Sequence, residues 1–260
     1  MDFPMTVKPT SRAVRLFRLL RFLLHVLRGL VLVSLVLPRV SHARRNELMR
    51  RWAGGILKIF NVTVHITGTP PPLGGKAVLV ANHVSWLDPA LLMTVRPAYF
   101  VAKSEIRAWP VLGWLAARGG TLFIERHRRH DTYRITQSLG ELLNGGDCAA
   151  IFPEGRTTDG TALRPFHSSL LQAAVWAEAV VYPVALRYRC ADGSVDTAPA
   201  YSNNISFADS LRQVLLRPLI RAELVFVAPI PAAGKSRHEL AKEAEQAVSA
   251  VLGLTPTRGS

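Results

Sequence analysis

Residues 14–37 read VRLFRLLRFLLHVLRGLVLVSLVL. At about 100° per residue, Arg15, Arg18, Arg21, His25 and Arg28 fall within roughly 140° of a helix circumference, and leucine and phenylalanine fill the rest. The pattern predicts an amphipathic helix ended by Pro38. A second helical segment over about 43–59 carries Leu48, Trp52, Ile56 and Ile59 at three- and four-residue steps. From residue 61 the period shortens. NVTVHIT (61–67) is β-branched, a Pro/Gly connection follows over 68–75, and AVLVA (77–81) is a continuous apolar strand of the kind covered on both faces. Short apolar runs recur at 98–102, 121–124, 148–152, 180–186 and 222–228. Helical segments lie between them. One is capped by Asp131 and stopped at Gly145, with Ile135, Leu139 and Leu142 on one face. Another opens with the capping box Ser236-x-x-Glu239. Alternating strands and helices predict an α/β fold, a largely parallel sheet flanked by helices. No interdomain linker interrupts residues 61–255, which read as one domain behind an N-terminal helical pair over 1–60.

Composition narrows the picture. The chain has 260 residues, 49% hydrophobic and 19% charged, which excludes a disordered chain. Two cysteines, Cys148 and Cys190, make no disulfide scaffold or zinc motif, and a reducing compartment is expected. The net charge of +14 is concentrated at one end: residues 1–60 hold twelve basic side chains against Asp2 and Glu47. Such an end needs an anionic partner. A nucleic-acid arm would interleave aromatics with its basic face; here leucines stand in their place. A lipid surface takes both kinds of side chain, leucines in the acyl boundary and arginines at the phosphates. The uncharged run Gly29–Leu37 is nine residues, against about 20 for a full span, so an interfacial or half-inserted helix is expected, with a transmembrane span as the alternative. The arginines argue against a buried core helix. No small-x-small cleavage site follows Pro38, which argues against a signal peptide.

In open α/β sheets, sites lie beyond the carboxyl ends of strands. Asn82-His83-Val84-Ser85-Trp86-Leu87-Asp88 directly follows AVLVA. An imidazole accepts a hydroxyl proton at neutral pH, and a carboxylate on its other nitrogen holds the tautomer. Asp88 before Pro89 also fits an N-cap with proline at the first helical position. Ser85 lies outside any GxSxG elbow and reads as structural. A second cluster, Phe152-Pro153-Glu154-Gly155-Arg156-Thr157, follows CAAIF; its glycine permits close backbone approach and Arg156 suits an anion. A third, Gly119 to Arg126, ends in a basic run. His127 and His130 lack the partners of a metal motif.

Taken in order, these segments resemble the glycerolipid acyltransferase family, the bacterial 1-acylglycerol-3-phosphate acyltransferases and their relatives. N-H-x-x-x-x-D is matched by Asn82, His83 and Asp88. G-x-x-F-I-x-R is matched by Gly120, Phe123, Ile124 and Arg126. Of F-P-E-G-T-R, Phe152, Pro153, Glu154 and Gly155 match, and Tyr182-Pro183-Val184 matches an apolar V-P-V strand. The N-terminal helices resemble the membrane motif of some bacterial members. One departure is that Glu154-Gly155 is followed by Arg156-Thr157, reversing the usual order. The downstream TTDGTALRPFHSSLLQAA resembles the lyso-ornithine-lipid acyltransferase branch.

The resemblance implies transfer of a fatty acyl group from acyl-CoA or acyl-carrier protein to a lysolipid hydroxyl. His83 would be the general base and Asp88 its support. Arg126, Glu154, Gly155, Arg156 and Lys103 would bind substrate, with Arg164 a further candidate. No metal or bound cofactor is implied. The expected acceptor is lysophosphatidate, with lyso-ornithine lipid the alternative, and the expected location is the cytoplasmic face of a bacterial inner membrane. The rival class, a non-enzymatic membrane-binding protein, has no need of an intact His83/Asp88 pair.

Overall fold

The computed structural model describes residues 8–125, 129–202 and 205–257. Ser11 caps the first helix, α1 (Arg12–Val31), which runs on through a π turn (Leu32–Val36) and a 3-10 turn (Leu37–Arg39). Ser41 caps α2 (His42–Ile59), whose hydroxyl accepts from the Arg44 N–H. The α/β part follows as β1 (Val62–Thr67), β2 (Ala77–Ala81), α3 (Asp88–Val95), β3 (Tyr99–Lys103), α4 (Ser104–Arg107), α5 (Leu112–Gly119), β4 (Leu122–Ile124), α6 (Arg129–Asn144), β5 (Cys148–Ile151), α7 (Gln172–Ala177), β6 (Val180–Arg189), α8 (Phe207–Leu216), β7 (Ile220–Phe226), β8 (Ile230–Pro231) and α9 (Arg237–Leu252).

The strands form one sheet in the order β1-β7-β6-β2-β5-β3-β4, with β8 paired to β6. From β6 through β2, β5 and β3 to β4 every pairing is parallel; β7 runs antiparallel to β6, and β1 runs parallel to β7. β2 sits near the centre and is buried at every position. Its side chains alternate between two cores, as a pleated strand covered on both faces must. Ala77, Leu79 and Ala81 meet Phe22 and Val26 of α1, Ile56 of α2, Leu91 of α3 and Val214 of α8. Val78 and Val80 meet Ile135 and Leu139 of α6, Ala173 of α7 and Leu240 and Val248 of α9.

α1 docks by one stripe and leaves the opposite stripe bare. Arg18, Phe22, Val26 and Gly29 are buried at four- and three-residue steps. Leu16, Leu20, Leu23 and Leu27 are 52–58% exposed. The expectation that the arginines of this helix meet lipid phosphates is therefore corrected for Arg18, which is buried, whereas Arg21 and Arg28 stay exposed. Arg18 donates to the carbonyls of Arg217 (2.7 Å) and Pro218 (3.1 Å), where the chain turns from α8 into β7. His25 stacks on Trp52 of α2 at 5.3 Å and bonds its carbonyl. The physical reason is that those carbonyls need donors when α1 covers them. α2 approaches closely at Gly55, where a Cβ would lie 2.3 Å from the His25 ring.

Smaller corrections follow from local geometry. α6 begins at Arg129, so Asp131 is not its cap. Its carboxylate accepts from the Glu125 N–H at 2.6 Å and pairs with Arg134, tying the end of β4 to the helix. Leu143 rather than Leu142 completes the buried face with Ile135 and Leu139, because steps of four stay in line. The Ser236/Glu239 capping box is present in full.

Candidate active site

β2 ends at Ala81, and the chain must turn without leaving its last polar groups unpaired. Asn82 solves this with its side chain. Its amide donates to the Leu186 carbonyl at 2.8 Å and accepts from the Leu186 N–H at 2.7 Å, extending the β2/β6 pairing by one side-chain rung. The turn that follows closes on Asp88. This carboxylate is fully buried, and four donors converge on it. His83 Nδ1 (2.8 Å), the Val84 N–H (2.7 Å) and the Ser85 N–H (2.8 Å) reach Oδ2, while the Tyr188 hydroxyl donates to Oδ1 at 2.7 Å. Asp88 is the first residue of α3, and Leu87 holds the cap position. The expected N-cap role is thus corrected: the carboxylate folds back to the turn before the helix.

Because a carboxylate only accepts, the Nδ1–H tautomer of His83 faces it, and Nε2 carries the lone pair. Nε2 has no hydrogen bond among the described residues, and the side chain is 21% exposed. The ring stacks on Phe152 at 4.0 Å with planes 13° apart. Phe152 in turn stacks on Phe100 at 6.2 Å, and Phe100 lines an apolar groove between α2 and α3 with Trp52, Ile56, Trp86 and Met93. His83 thus stands at one end of an aromatic ladder whose other end is in that groove.

Glu154 is 2% exposed, and both of its oxygens are used inside. Oε1 accepts the His83 N–H at 2.7 Å and Oε2 the Arg164 N–H at 2.8 Å. The carboxylate therefore joins two loops by their main chains, and the Arg156 side chain lies exposed beside them. Burial first, then the nearby Asp88 charge, pushes the Glu154 carboxyl up to about 7, against the pull of its two N–H donors. Gly155 turns with φ +75°, a conformation that other residues rarely adopt. Two further main-chain bonds strap the His83–Asp88 turn: the Thr158 N–H to the His83 carbonyl (2.9 Å) and the Tyr201 N–H to the Val84 carbonyl (2.8 Å). Lys103 ends β3 in register with Ile124, and Arg164 is exposed. Arg126 lies outside the described residues. Ser85 is fully buried, with its hydroxyl accepting from the Leu87 N–H.

An acyltransferase family model matches residues 61–187. Over 208 residues the chain is 39% identical to the lyso-ornithine lipid O-acyltransferase of Pseudomonas aeruginosa, covering 80% of this chain and 79% of that one. The chain belongs to the acyltransferase family. It is also 37% identical over 211 residues to the 1-acyl-sn-glycerol-3-phosphate acyltransferase of Neisseria meningitidis, covering 80% and 82% of the two chains. In fold it is similar to the crystal structure of the 1-acyl-sn-glycerophosphate (LPA) acyltransferase PlsC from Thermotoga maritima, with a TM-score of 0.69, 19% identity, and 93% and 94% of the two chains covered.

In this acyltransferase, sequence reasoning paired His83 with Asp88 but expected Glu154 to bind substrate, whereas burial commits both of its oxygens to main-chain N–H groups; it also missed Tyr188 and the parts played by Asn82 and Phe152. Tyr188 is 100 residues from Asp88, and no local pattern marks it.

Glu154 makes stability depend on pH. Its native carboxyl holds a proton more tightly than in the unfolded chain, where the ordinary value is 4.5. Its contribution is full below that value and declines as pH rises through about 7, by about 3 kcal/mol in all. Glu154→Gln should melt lower at pH 5, because an amide cannot accept both N–H groups. It should also lose less stability than wild type between pH 5 and pH 8. Thermal melts across that window check this; equal losses would show that the carboxyl titrates as if solvated.

Proposed function

We propose that this acyltransferase moves a fatty acyl group from acyl-CoA or acyl-carrier protein to the hydroxyl of lysophosphatidate, giving phosphatidate. The observation that carries the reading is the His83 imidazole, held by a buried carboxylate at Nδ1 and open at Nε2, beside an apolar groove. Nε2 takes the proton from the acceptor hydroxyl as its oxygen bonds to the thioester carbon. The carbon–sulfur bond then breaks, and the thiol leaves with the proton returned from His83. The substrate oxygen is itself the nucleophile, so no acyl-enzyme forms. Asp88 offsets the imidazolium charge while the proton is held. The groove that includes Phe100 and Trp86 takes the acyl chain. General-base help is worth about 10²–10⁴-fold, and holding the reactants in line supplies much of the rest.

Charge bears on the acceptor. A phosphomonoester suits the exposed guanidinium groups of Arg156 and Arg164, and the motif resemblance adds Arg126. A zwitterionic ornithine headgroup would want a carboxylate for its ammonium. Glu154 has both oxygens on backbone N–H groups, and Asp159 Oδ1 is folded onto Thr161. That favours lysophosphatidate. Lyso-ornithine lipid is the second reading, favoured by the 39% identity to the Pseudomonas enzyme.

For location we propose the cytoplasmic face of a bacterial inner membrane, with residues 1–60 as the attaching part and 61–255 as the acyltransferase domain. The bare stripe Leu16, Leu20, Leu23 and Leu27 enters the acyl boundary, with exposed basic residues near the phosphates. The helical run Arg12–Arg39 also has the length and composition to cross a bilayer. Its docked face supports an interfacial placement.

His83→Ala should lower kcat by at least about 10²-fold with substrate KM values little changed. Retention of more than about a tenth of wild-type kcat would exclude general-base catalysis here.

The acceptor is decided by kcat/KM for lysophosphatidate and lyso-ornithine lipid with one enzyme in one detergent. Lysophosphatidate should be preferred; a tenfold preference for lyso-ornithine lipid reverses the choice and leaves the His83 chemistry intact.

Replacing Leu16, Leu20, Leu23 and Leu27 by serine should weaken sedimentation with anionic vesicles while the fold persists. Removing α1 and α2 outright is the poorer test, because both pack into the sheet's core. Undiminished vesicle binding by the folded quadruple variant would move the membrane face elsewhere.

A further inference from the structure

β6 overruns β2. Their pairing ends at Ala81 and Val184, yet β6 continues to Arg189, held there by β7. Along the overhang Val184, Leu186 and Tyr188 alternate on one face, and none is more than 1% exposed. Tyr188 is the polar member of this row. Its hydroxyl donates to Asp88 Oδ1 at 2.7 Å and also meets the Ser85 side chain. Burying a phenol here costs free energy unless its O–H is used, and a phenylalanine would fill the same space without that cost. The hydroxyl therefore serves the carboxylate it reaches.

We propose that Tyr188 is a positioning residue that sets how tightly the His83–Asp88 pair holds its proton. This rests on the reading of His83 as the base. A hydrogen bond to a carboxylate favours the charged form. In the proton-free pair the carboxylate stands alone, and the phenol O–H stabilises it strongly. In the proton-bound pair the imidazolium already offsets that charge, so the phenol contributes less. The proton belongs to the pair, and the phenol weakens the pair's hold on it. Burial, aided by Asp88, holds the phenol's own pKa well above the usual tyrosine value, so it stays a donor throughout.

The surrounding charges leave this geometry distinct. From the turn before α3, His83, Ser85 and Asp88 face the phenol. Glu154 approaches the pair from the other loop, through the His83 main chain, and feels Asp88. Asp196 donates its N–H to the Tyr188 carbonyl, while its carboxylate is paired with Arg217. Arg187 and Arg189, next to Tyr188 on β6, both meet Glu223 of β7.

In Tyr188→Phe the acid limb of kcat/KM should move up by about 0.5–1 pH unit. At neutral pH kcat should fall about three- to tenfold, with acceptor KM within about twofold. Because Glu154 titrates in the same window, the His83 ring is also followed by NMR in histidine-labelled protein, its signal assigned by its loss in His83→Ala. That ring should titrate higher by the same amount. Site-specific 3-fluorotyrosine at position 188, nearly the same size and a stronger donor, should move both titrations down. A Tyr188 that only fills space predicts a lower melting temperature in the phenylalanine variant and unmoved titrations, and that result overturns the proposal. If the phenylalanine variant does not fold, the fluorotyrosine protein decides alone, an unmoved His83 titration refuting the coupling. A failed base assignment looks different: His83→Ala keeps its activity while the His83 ring still responds to substitution at 188.

Discussion

A fully buried Asp88 carboxylate is tolerable only because four donors surround it, and the rest of the site is arranged to supply them. An ion removed from water without partners costs several kcal/mol. Hydrogen bonds to a charged group return about 1.5–3 kcal/mol each. Two of the donors are main-chain N–H groups, so the carboxylate shapes the turn from Val84 to Leu87 as well as the imidazole. The same contacts that make Asp88 bearable in the core aim His83 outward.

The sheet explains how those donors arrive. β6 extends beyond the end of its pairing with β2. The antiparallel β7 continues to pair with it through Arg189, and β1 protects β7 in turn. The overhang then offers its Leu186 backbone to Asn82 and its Tyr188 hydroxyl to Asp88. On the other side of the turn, Glu154 grips the His83 N–H from the loop after β5. The His83–Asp88 turn is thus suspended between strands on both sides of β2, and a displacement of either is felt at Nε2.

The N-terminal helices share the same core. Phe22 and Val26 of α1 lie in the cluster with Leu79 and Leu91, and Phe22 meets Trp86 of the His83–Asp88 turn at 6.1 Å. The exposed leucine stripe of α1 and the His83–Asp88 turn are thereby mechanically joined. Leucines on the outer stripe of α1 are bare, while its inner stripe rests a few side chains from His83.

Much was legible in the amino-acid order alone. The unbroken run at 77–81 marked a central strand, because only a strand covered on both faces has no polar alternation. His83 and Asp88 lie five residues apart, so one tight turn joins them, and the capping box at Ser236 and Glu239 is likewise complete within four residues. The leucine stripe of α1 was legible from its period. What the order could not express was reach. Tyr188 meets Asp88 across 100 residues, Glu154 meets the His83 N–H across 71, and Arg18 meets the Arg217 carbonyl across 199. Each depends on a strand register or a helix docking angle set by the summed packing of whole elements. The donors or acceptors involved are often backbone groups, which every residue carries and no motif can mark. Local chemistry was therefore written in spacing, while the partners that tune it were decided only when the sheet closed around them.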